Sequence, residues 1–544
     1  MGSYYYLKGG TDFFLNFYRE QVKMKTIYRI YPAIGVARIG NSETGYFLGP
    51  ESPGIVPEGP YRDDSSPGKI KPQGVRFRIY KFTRDEFGKE SLNNEVMLDK
   101  KTKITWSVHL ANSKAAGGNF PPGGPSSSPR NAGYDRAGLV VDASLQSVSG
   151  KNKTALALSG EIHFIRNGNV EGSEKVELGR LLTDEKGRLI VVGGPGKSGS
   201  PTGRGLDSFA NNDGWYDGVS DGPVSAVVEV DGEIPVTAEG GAWVVVAPPS
   251  YAPGIENVTT WYDQALNVAA RNFSPRLIKN VPSFTRDIYP ILKRTVMLHW
   301  VVEQENRHHG TAGNFLNVAR LSKLADKSEN GKSARESVFR WLMKPNTRVD
   351  PNTPPPQLPP AMPKVNSGLD PDNPEQGEYT ALTEYQYTMM EKWSQGNFEA
   401  DWTAEPVPVP FDELPLKLRP DALTRASLEG CIGAPFFPGI EVTYVIAQAA
   451  TYEGSFRIKH TLPPGFLTER MALPWQADFL ACGELWWPAQ RPVDVVTASG
   501  RIQPFSRGIQ DYGDMVRWWT ELGFVVKKGE KFVEDERNPI DGQS

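Results

Sequence analysis

At 544 residues the chain has material for roughly two to four domain-sized units. Sixty Lys and Arg against 64 Asp and Glu give a net charge of -4, so the basic excess with which nucleic-acid binders neutralise phosphate is missing. No apolar run approaches the length of a membrane-spanning helix, and the best, Gly241 to Ala247, is strand length and ends in Pro-Pro. These counts exclude a nucleic-acid partner and a helical membrane span.

Residues 1–23 lack a basic start, an apolar core and a small-residue cleavage site. They read as an extension before Met24 rather than a secretory signal, which makes a cytoplasmic site the expectation, with unconventional release the exception. Residues 24–260 read as β-rich. Val75 to Tyr80, Gly138 to Val141, Glu161 to Ile165, Leu189 to Val192, Ala226 to Val230 and Ala242 to Val246 recur between Gly, Pro, Asn and Asp clusters, the pattern of antiparallel sheets with turns. A sandwich or barrel-like unit follows from it.

Two long glycine-rich loops fall at 122–133 and 193–205. The second contains Gly196-Lys197-Ser198 after a strand, which suggests a phosphate loop. However, Val191 stands where that loop needs its first glycine, and Gly199-Ser200-Pro201 occupies the start of the required helix.

Residues 261–345 turn helical: Ile288, Ile291, Leu292, Thr295, Leu298 and Val302 fall at helix spacing in a helix expected over Asp287 to Gln304. Residues 346–376 form a stiff Pro-rich connection. In the last region, 377–544, a second amphipathic helix is expected over Glu378 to Gln395, with Tyr385, Met389, Met390 and Trp393 as core residues. The whole reads as α+β, a β-rich N-terminal sandwich or barrel followed by a mixed, more helical C-terminal region that carries the site. His308 and His309 are adjacent and so diverge on a helix, which makes a poor chelate; no metal site is expected.

Two cysteines, Cys431 and Cys482, are too few for a disulfide scaffold or a cysteine-rich zinc site. Cys482 ends Leu473-Pro474-Trp475-Gln476-Ala477-Asp478-Phe479-Leu480-Ala481-Cys482, and Trp486-Trp487-Pro488-Ala489-Gln490-Arg491-Pro492 follows. If this stretch is helical, Asp478 and Cys482 share a face, being four apart. A neighbouring carboxylate disfavours a thiolate, and no histidine lies nearby to act as base, so a cysteine-hydrolase site is disfavoured.

Four segments resemble the quinoprotein amino-acid oxidases related to lysine ε-oxidase and glycine oxidase. They are Ile30-Tyr31-Pro32-Ala33-Ile34-Gly35-Val36-Ala37-Arg38-Ile39-Gly40-Asn41-Ser42, Phe284-Thr285-Arg286-Asp287-Ile288-Tyr289-Pro290-Ile291-Leu292, Pro435-Phe436-Phe437-Pro438-Gly439-Ile440-Glu441, and the PWQADFLAC stretch with WWPAQRP. They occur in family order from Ile30 to Pro492, most of the chain.

The resemblance implies a protein-derived cysteine tryptophylquinone, in which a tryptophan ring carries two oxygens as an ortho-quinone and a cysteine sulfur is bonded to that ring. Cys482 matches the cross-linked cysteine. The indole is Trp519 or Trp518; Trp519 is preferred, because Trp519-Thr520-Glu521-Leu522-Gly523-Phe524 resembles the family ending. Adjacent helical residues point about 100° apart, so only one of the two can face Cys482.

The implied reaction takes a primary amine or amino acid and dioxygen to an aldehyde or oxo-acid, ammonia and hydrogen peroxide, with Asp478 as the base. The resemblance also gives this aspartate a part in cofactor maturation and implies a separate flavin-dependent modifying protein; a homo-oligomer is the expected assembly. Arg491 is a candidate for holding a substrate carboxylate, or a structural ion pair. Cys431 lines the site or packs near Phe436, and packing is the favoured reading. Two departures stand out. The interval from Cys482 to the tryptophan is short, as if an insertion that contributes to the pocket in relatives were missing, and no histidine follows His460. The competing readings are a catalytically silent β-rich binding protein on the same scaffold, and a flavin or nicotinamide oxidoreductase, weakened because no strand-linked GxGxxG opens a helix.

Overall fold

The computed structural model describes residues 24–119, 129–302, 316–345, 382–433, 439, 441–485 and 490–540, except the side chains of 482–485. The extension before Met24, the whole Pro-rich connection, the His308–His309 pair, most of the 435–441 segment and residues 486–489 lie outside them.

One fifteen-stranded sheet organises the N-terminal half. Its principal strands are β1 (Lys25–Tyr31), β2 (Ile34–Arg38), β3 (Gln73–Arg84), β4 (Glu90–Val96), β5 (Thr102–Val108), β6 (Gln146–Ser149), β7 (Leu156–Arg166), β8 (Asn169–Thr183), β9 (Leu189–Gly193), β10 (Ser220–Val230) and β11 (Ala242–Ala247). The spatial order is β7-β8-β9-β3-β2-β11-β10-β5-β6, with β1 and β4 joined to the long β3 and four two-residue strands completing it. Among the principal strands β11 runs parallel to β2 and the other pairs are antiparallel. The sheet curls into a nearly closed barrel, and helices dominate the C-terminal region, so the expected α+β architecture is the observed one.

The pleat explains why β11 is apolar at every position. Successive side chains face opposite sides of a sheet, and both sides are covered here. Ala242, Val244 and Val246 enter the barrel core, while Trp243, Val245 and Ala247 enter a second core on the outer face. That outer core is closed by α1 (Trp261–Asn272) and by later segments carrying Leu428, Val445 and Tyr452. Further helices in chain order are α2 (Tyr289–Met297), α3 (Val318–Leu324), α4 (Glu329–Phe339), α5 (Glu384–Ser394), α6 (Arg419–Glu429), α7 (Trp475–Leu485) and α8 (Tyr512–Trp518). α6 is tied to the sheet by side chains that accept from the backbone of β2 and its approach: Thr424 Oγ1 takes Ala33 N–H and Ser427 Oγ takes Val36 N–H, each at 3.0 Å.

Three expected elements differ in detail. Gly138 to Val141 is a 3₁₀ turn, Ala137–Leu139, followed by a two-residue strand. Its apolar letters reflect burial of Leu139 rather than strand pairing. The helix expected from Asp287 is a π turn over Phe284–Ile288, then α2, tightening into a 3₁₀ turn at Leu298–Trp300. Pro290 sits in the first turn of α2, where its missing N–H costs nothing. The helix expected from Glu378 begins at Glu384, where Thr383 and Gln386 form a reciprocal capping box.

A buried carboxylate in β10 makes the fold pH-sensitive. Asp221 is fully buried and accepts from Trp243 Nε1 (2.9 Å), Leu467 N (3.1 Å), Thr468 N (2.9 Å) and Thr468 Oγ1 (2.7 Å), joining the sheet to the C-terminal region. Burial outweighs these donors and pushes the carboxyl from its ordinary 3.8 up to about 6. The folded chain therefore keeps a proton that the unfolded chain has lost, so this contribution to stability is present below about pH 4 and disappears as pH rises through about 6. The loss is about 1.4 kcal/mol per unit of pKa difference. Asp221→Asn, which cannot titrate, is expected to flatten this part of the stability-versus-pH curve, measured as the urea midpoint between pH 4 and 7. An unchanged slope would contradict the assignment.

Candidate active site

The site is built where the loops at the end of the barrel meet α7 and α8. The start of α7 is held by a buried ion pair. Lys114 Nζ donates to Asp217 Oδ2 at 2.7 Å, with both side chains fully buried, and to the carbonyl of Ala472 at 2.9 Å. Asp217 Oδ2 also accepts from Trp475 N, the first residue of the helix, at 2.9 Å, while Oδ1 takes the amide of Asn112 at 2.8 Å. The carboxylate thus meets free N–H groups at a helix N-terminus, where negative charge is favoured. Asn212 Nδ2 donates to Leu473 O at 2.8 Å, and Leu473 N to Ala210 O at 2.9 Å.

None of this was visible in the sequence. Lys114 and Asp217 are 103 residues apart and belong to no motif. Removing one partner of such a pair strands the other charge in the interior, so Lys114→Met is expected to cost about 3–5 kcal/mol in chemical denaturation. A loss below about 1 kcal/mol, typical of exposed pairs, would show that the pair is not the anchor described.

From that anchor α7 carries Trp475, Asp478 and Cys482 in register. Trp475 and Cys482 are seven residues apart, two turns, and Asp478 lies between them near the same face. The expected helix is therefore present, and its register brings Asp478 and Cys482 onto one side; the Cys482 side chain lies outside the described atoms. Asp478 is 2 % exposed, and it interacts electrostatically with the Lys114 ammonium. Gln476, fully buried, accepts from Ser198 Oγ at 2.9 Å, tying the helix to the glycine-rich loop.

α8 packs against α7 and separates the two candidate tryptophans. Trp519 is buried, its ring edge-to-face with Trp475 at 5.5 Å between centroids. Trp475 in turn meets Phe479 at 5.2 Å. The Trp519 carbonyl accepts from Tyr251 Oη at 2.5 Å, fixing the backbone there. Trp518 is half-buried, with the Arg517 guanidinium 5.9 Å from its ring centre. Of the pair, Trp519 is the one whose ring meets Trp475 of α7.

The other wall of Trp519 is backbone. Gly196, at φ +71°, lies so close that a Cβ there would stand 3.1 Å from Cζ2 and 3.2 Å from Cη2 of the indole. The glycine-rich loop is thus a lining of this site. It follows β9 with no helix after it, pinned by Gly199 and Tyr216, whose backbones exchange hydrogen bonds of 3.2 and 2.9 Å.

Arg491 and Cys431 sit elsewhere. Arg491 is 1 % exposed, and its Nε and Nη1 donate at 2.6 Å to the carbonyls of Phe479 and Pro492. It clamps the backbone of α7 to the chain that follows, a structural use of its planar fork. Cys431 is buried in the outer core, not with Trp519. Arg38 pairs with Glu441 beside it, and burial with the Glu441 charge pushes the thiol well above its usual range. Packing, the reading favoured from sequence, describes its surroundings.

A buried indole held between two rigid walls, a buried carboxylate and a cysteine on the same helix face are the parts that a quinone built from side chains requires. Such an arrangement is compatible with an oxidoreductase. Comparison with known proteins gives the family. Residues 31–246 match the L-lysine ε-oxidase N-terminal domain and residues 364–497 the L-lysine ε-oxidase C-terminal domain.

L-lysine 6-oxidase of Marinomonas mediterranea is 27 % identical, over 94 % of this chain and 89 % of its own length. The alignment spans 682 positions, more than the 544 residues here, so that relative carries insertions against this chain. The crystal structure of the L-Lys ε-oxidase from the same organism superposes with a TM-score of 0.74 at 25 % identity, covering 94 % of this chain and 95 % of that one. The structure of its Schiff base intermediate with L-Lys gives 0.73 at 26 %, with the same coverage. The chain belongs to the L-lysine ε-oxidase family of quinoproteins, amino-acid oxidases that act on CH–NH2 with dioxygen as acceptor.

Proposed function

We propose that this protein oxidatively deaminates a primary amine carried by an amino acid, through a cysteine tryptophylquinone made from Cys482 and Trp519, releasing an aldehyde or oxo-acid, ammonia and hydrogen peroxide. The observation that carries the proposal is the burial of Trp519 against Trp475, on the helix whose same face bears Asp478 and Cys482. Matured, the group supplies an electrophilic carbonyl that a neutral amine attacks and an electron store that dioxygen empties.

The chain does the rest. Asp478, held on a helix whose first N–H is fixed by Asp217, takes the proton from the substrate carbon next to the nitrogen. Burial at 2 % exposure keeps bulk water from competing for that proton. Trp475 and Gly196 both abut the indole and limit its movement relative to α7, so the reacting carbon and the carboxylate meet in a fixed geometry. Recognition of the substrate carboxylate falls to groups other than Arg491, whose donors go to backbone carbonyls. Maturation needs a separate flavin-dependent modifying protein that works with dioxygen.

Peroxide release across a panel of amino acids, simple amines and lysine-containing peptides tests the reading, with L-lysine as the first compound because the relative is a lysine oxidase. Stoichiometric peroxide and ammonia from at least one of them is the expected result. Fully modified protein that gives no peroxide from any of them would rule the activity out.

A further inference from the structure

Cζ2 and Cη2 of Trp519 lie against a residue with no side chain, and both partners are held on several sides. Gly196 is fixed from behind by Gly218, where a Cβ would stand 3.2 Å from the Gly196 Cα. It is fixed along the loop by the Gly199–Tyr216 backbone pair and by Ser198 on Gln476. Trp519 is fixed by Trp475 on its ring and Tyr251 on its carbonyl. A methyl at 196 would also meet Ile39 Cδ1 at 2.9 Å. Clearance along two adjacent benzo carbons is therefore set by the absence of one side chain.

We propose that Gly196 is a positioning residue for cofactor formation: the missing side chain keeps the Cζ2–Cη2 edge of Trp519 open, so that this pair of carbons can be oxygenated. The inference rests on the quinone reading above and adds to it a residue far from the family segments that carry Cys482 and Trp519. In the step concerned two ring C–H bonds give way to C=O, and one S–H and a third ring C–H give way to the C–S bond. Two dioxygen molecules accept the electrons, leaving two oxygen atoms on the ring and two in water with the four hydrogens. The flavin-dependent modifying protein delivers them. Crowding at this edge acts before catalysis, on whether the group forms.

Gly203 supplies a matched control: same loop, φ +72° against +71°, and nothing within 4 Å of an added Cβ. Gly196→Ala and Gly203→Ala therefore bear similar backbone strain, and only the first presses on the ring. Both variants and the wild type are produced in the native host. Thermal unfolding reads the fold, and peptide mass mapping reads the fraction of chains with Cys482 joined to an oxygenated Trp519. Gly196→Ala is expected to lower that fraction by at least about tenfold, since small displacements around reacting atoms have effects of that size or larger. Gly203→Ala stays at the wild-type fraction, and Gly196→Ala still unfolds cooperatively, at a lower temperature because its methyl also presses on Ile39.

If Gly196→Ala fails to fold, the same substitution in an Ile39→Val background removes the other close contact and leaves the ring as the probe. Full modification in the Gly196 variants, or equal loss in Gly203→Ala, overturns the inference while leaving the quinone reading intact. Wild-type protein lacking the modification overturns both.

Discussion

Trp519→Phe is expected to abolish amine oxidation altogether, whereas Trp518→Phe keeps most of it. The asymmetry follows from the helix geometry: consecutive residues point about 100° apart, and the structure turns Trp519 inward onto Trp475 while Trp518 is left half-buried beside Arg517. Phenylalanine cannot become an ortho-quinone joined to an indole nitrogen ring, so no rate remains to be measured. The buried volume is partly conserved, which limits the stability cost to about 1–3 kcal/mol, as for other core changes of shape. Peroxide assays with unfolding curves on both variants check this. Retained activity in Trp519→Phe with loss in Trp518→Phe would transfer the assignment to the neighbouring ring.

Asp478→Asn is expected to lower turnover by about 10²–10⁴, the range over which a positioned general base contributes. The amide is close in size to the carboxylate and can keep hydrogen bonds, so the fold and the α7 anchor at Asp217 and Lys114 remain. If the aspartate also takes part in maturation, the variant will in addition carry less modified protein, and normalising turnover to the modified fraction separates the two roles. A normalised turnover within twofold of wild type would remove Asp478 from the proton transfer.

Much of this site could be read before the fold was seen, because one helix carries its signal. Trp475, Asp478 and Cys482 lie within eight residues, and an i, i+4 spacing survives translation into three dimensions unchanged. Preferring Trp519 over Trp518 rests on the downstream Leu-Gly-Phe spacing; the fold adds that Trp519 is buried and Trp518 half-buried. The strands with clean apolar runs were equally legible, since a strand covered on both faces, such as β11, shows its burial at every letter.

What escaped the sequence is whatever depends on distant segments meeting. Lys114, Asp217 and Tyr251 acquire meaning only when the barrel loops reach α7 and α8. The loop at 193–205 was judged by the phosphate pattern it fails, and its contact with an indole more than 300 residues away has no local signature. Arg491 could be read from sequence either as a holder of a substrate carboxylate or as a structural pairing, and its contacts with the carbonyls of Phe479 and Pro492 depend on how the chain after α7 folds back. The 138–141 run misled because apolar letters report burial, and a 3₁₀ turn buries Leu139 as completely as a strand would.

In the proposed enzyme a sulfur on α7 and the indole just after α8 form one covalent redox group. Peptide mass mapping of protein purified from its native host tests it directly. The expected product is a single cross-linked species joining the Cys482 peptide to the Trp519 peptide, heavier by two oxygens and lighter by four hydrogens than the two together. Recovery of Cys482 as a free thiol, with Trp519 an unmodified indole in peptides that run separately, would contradict it.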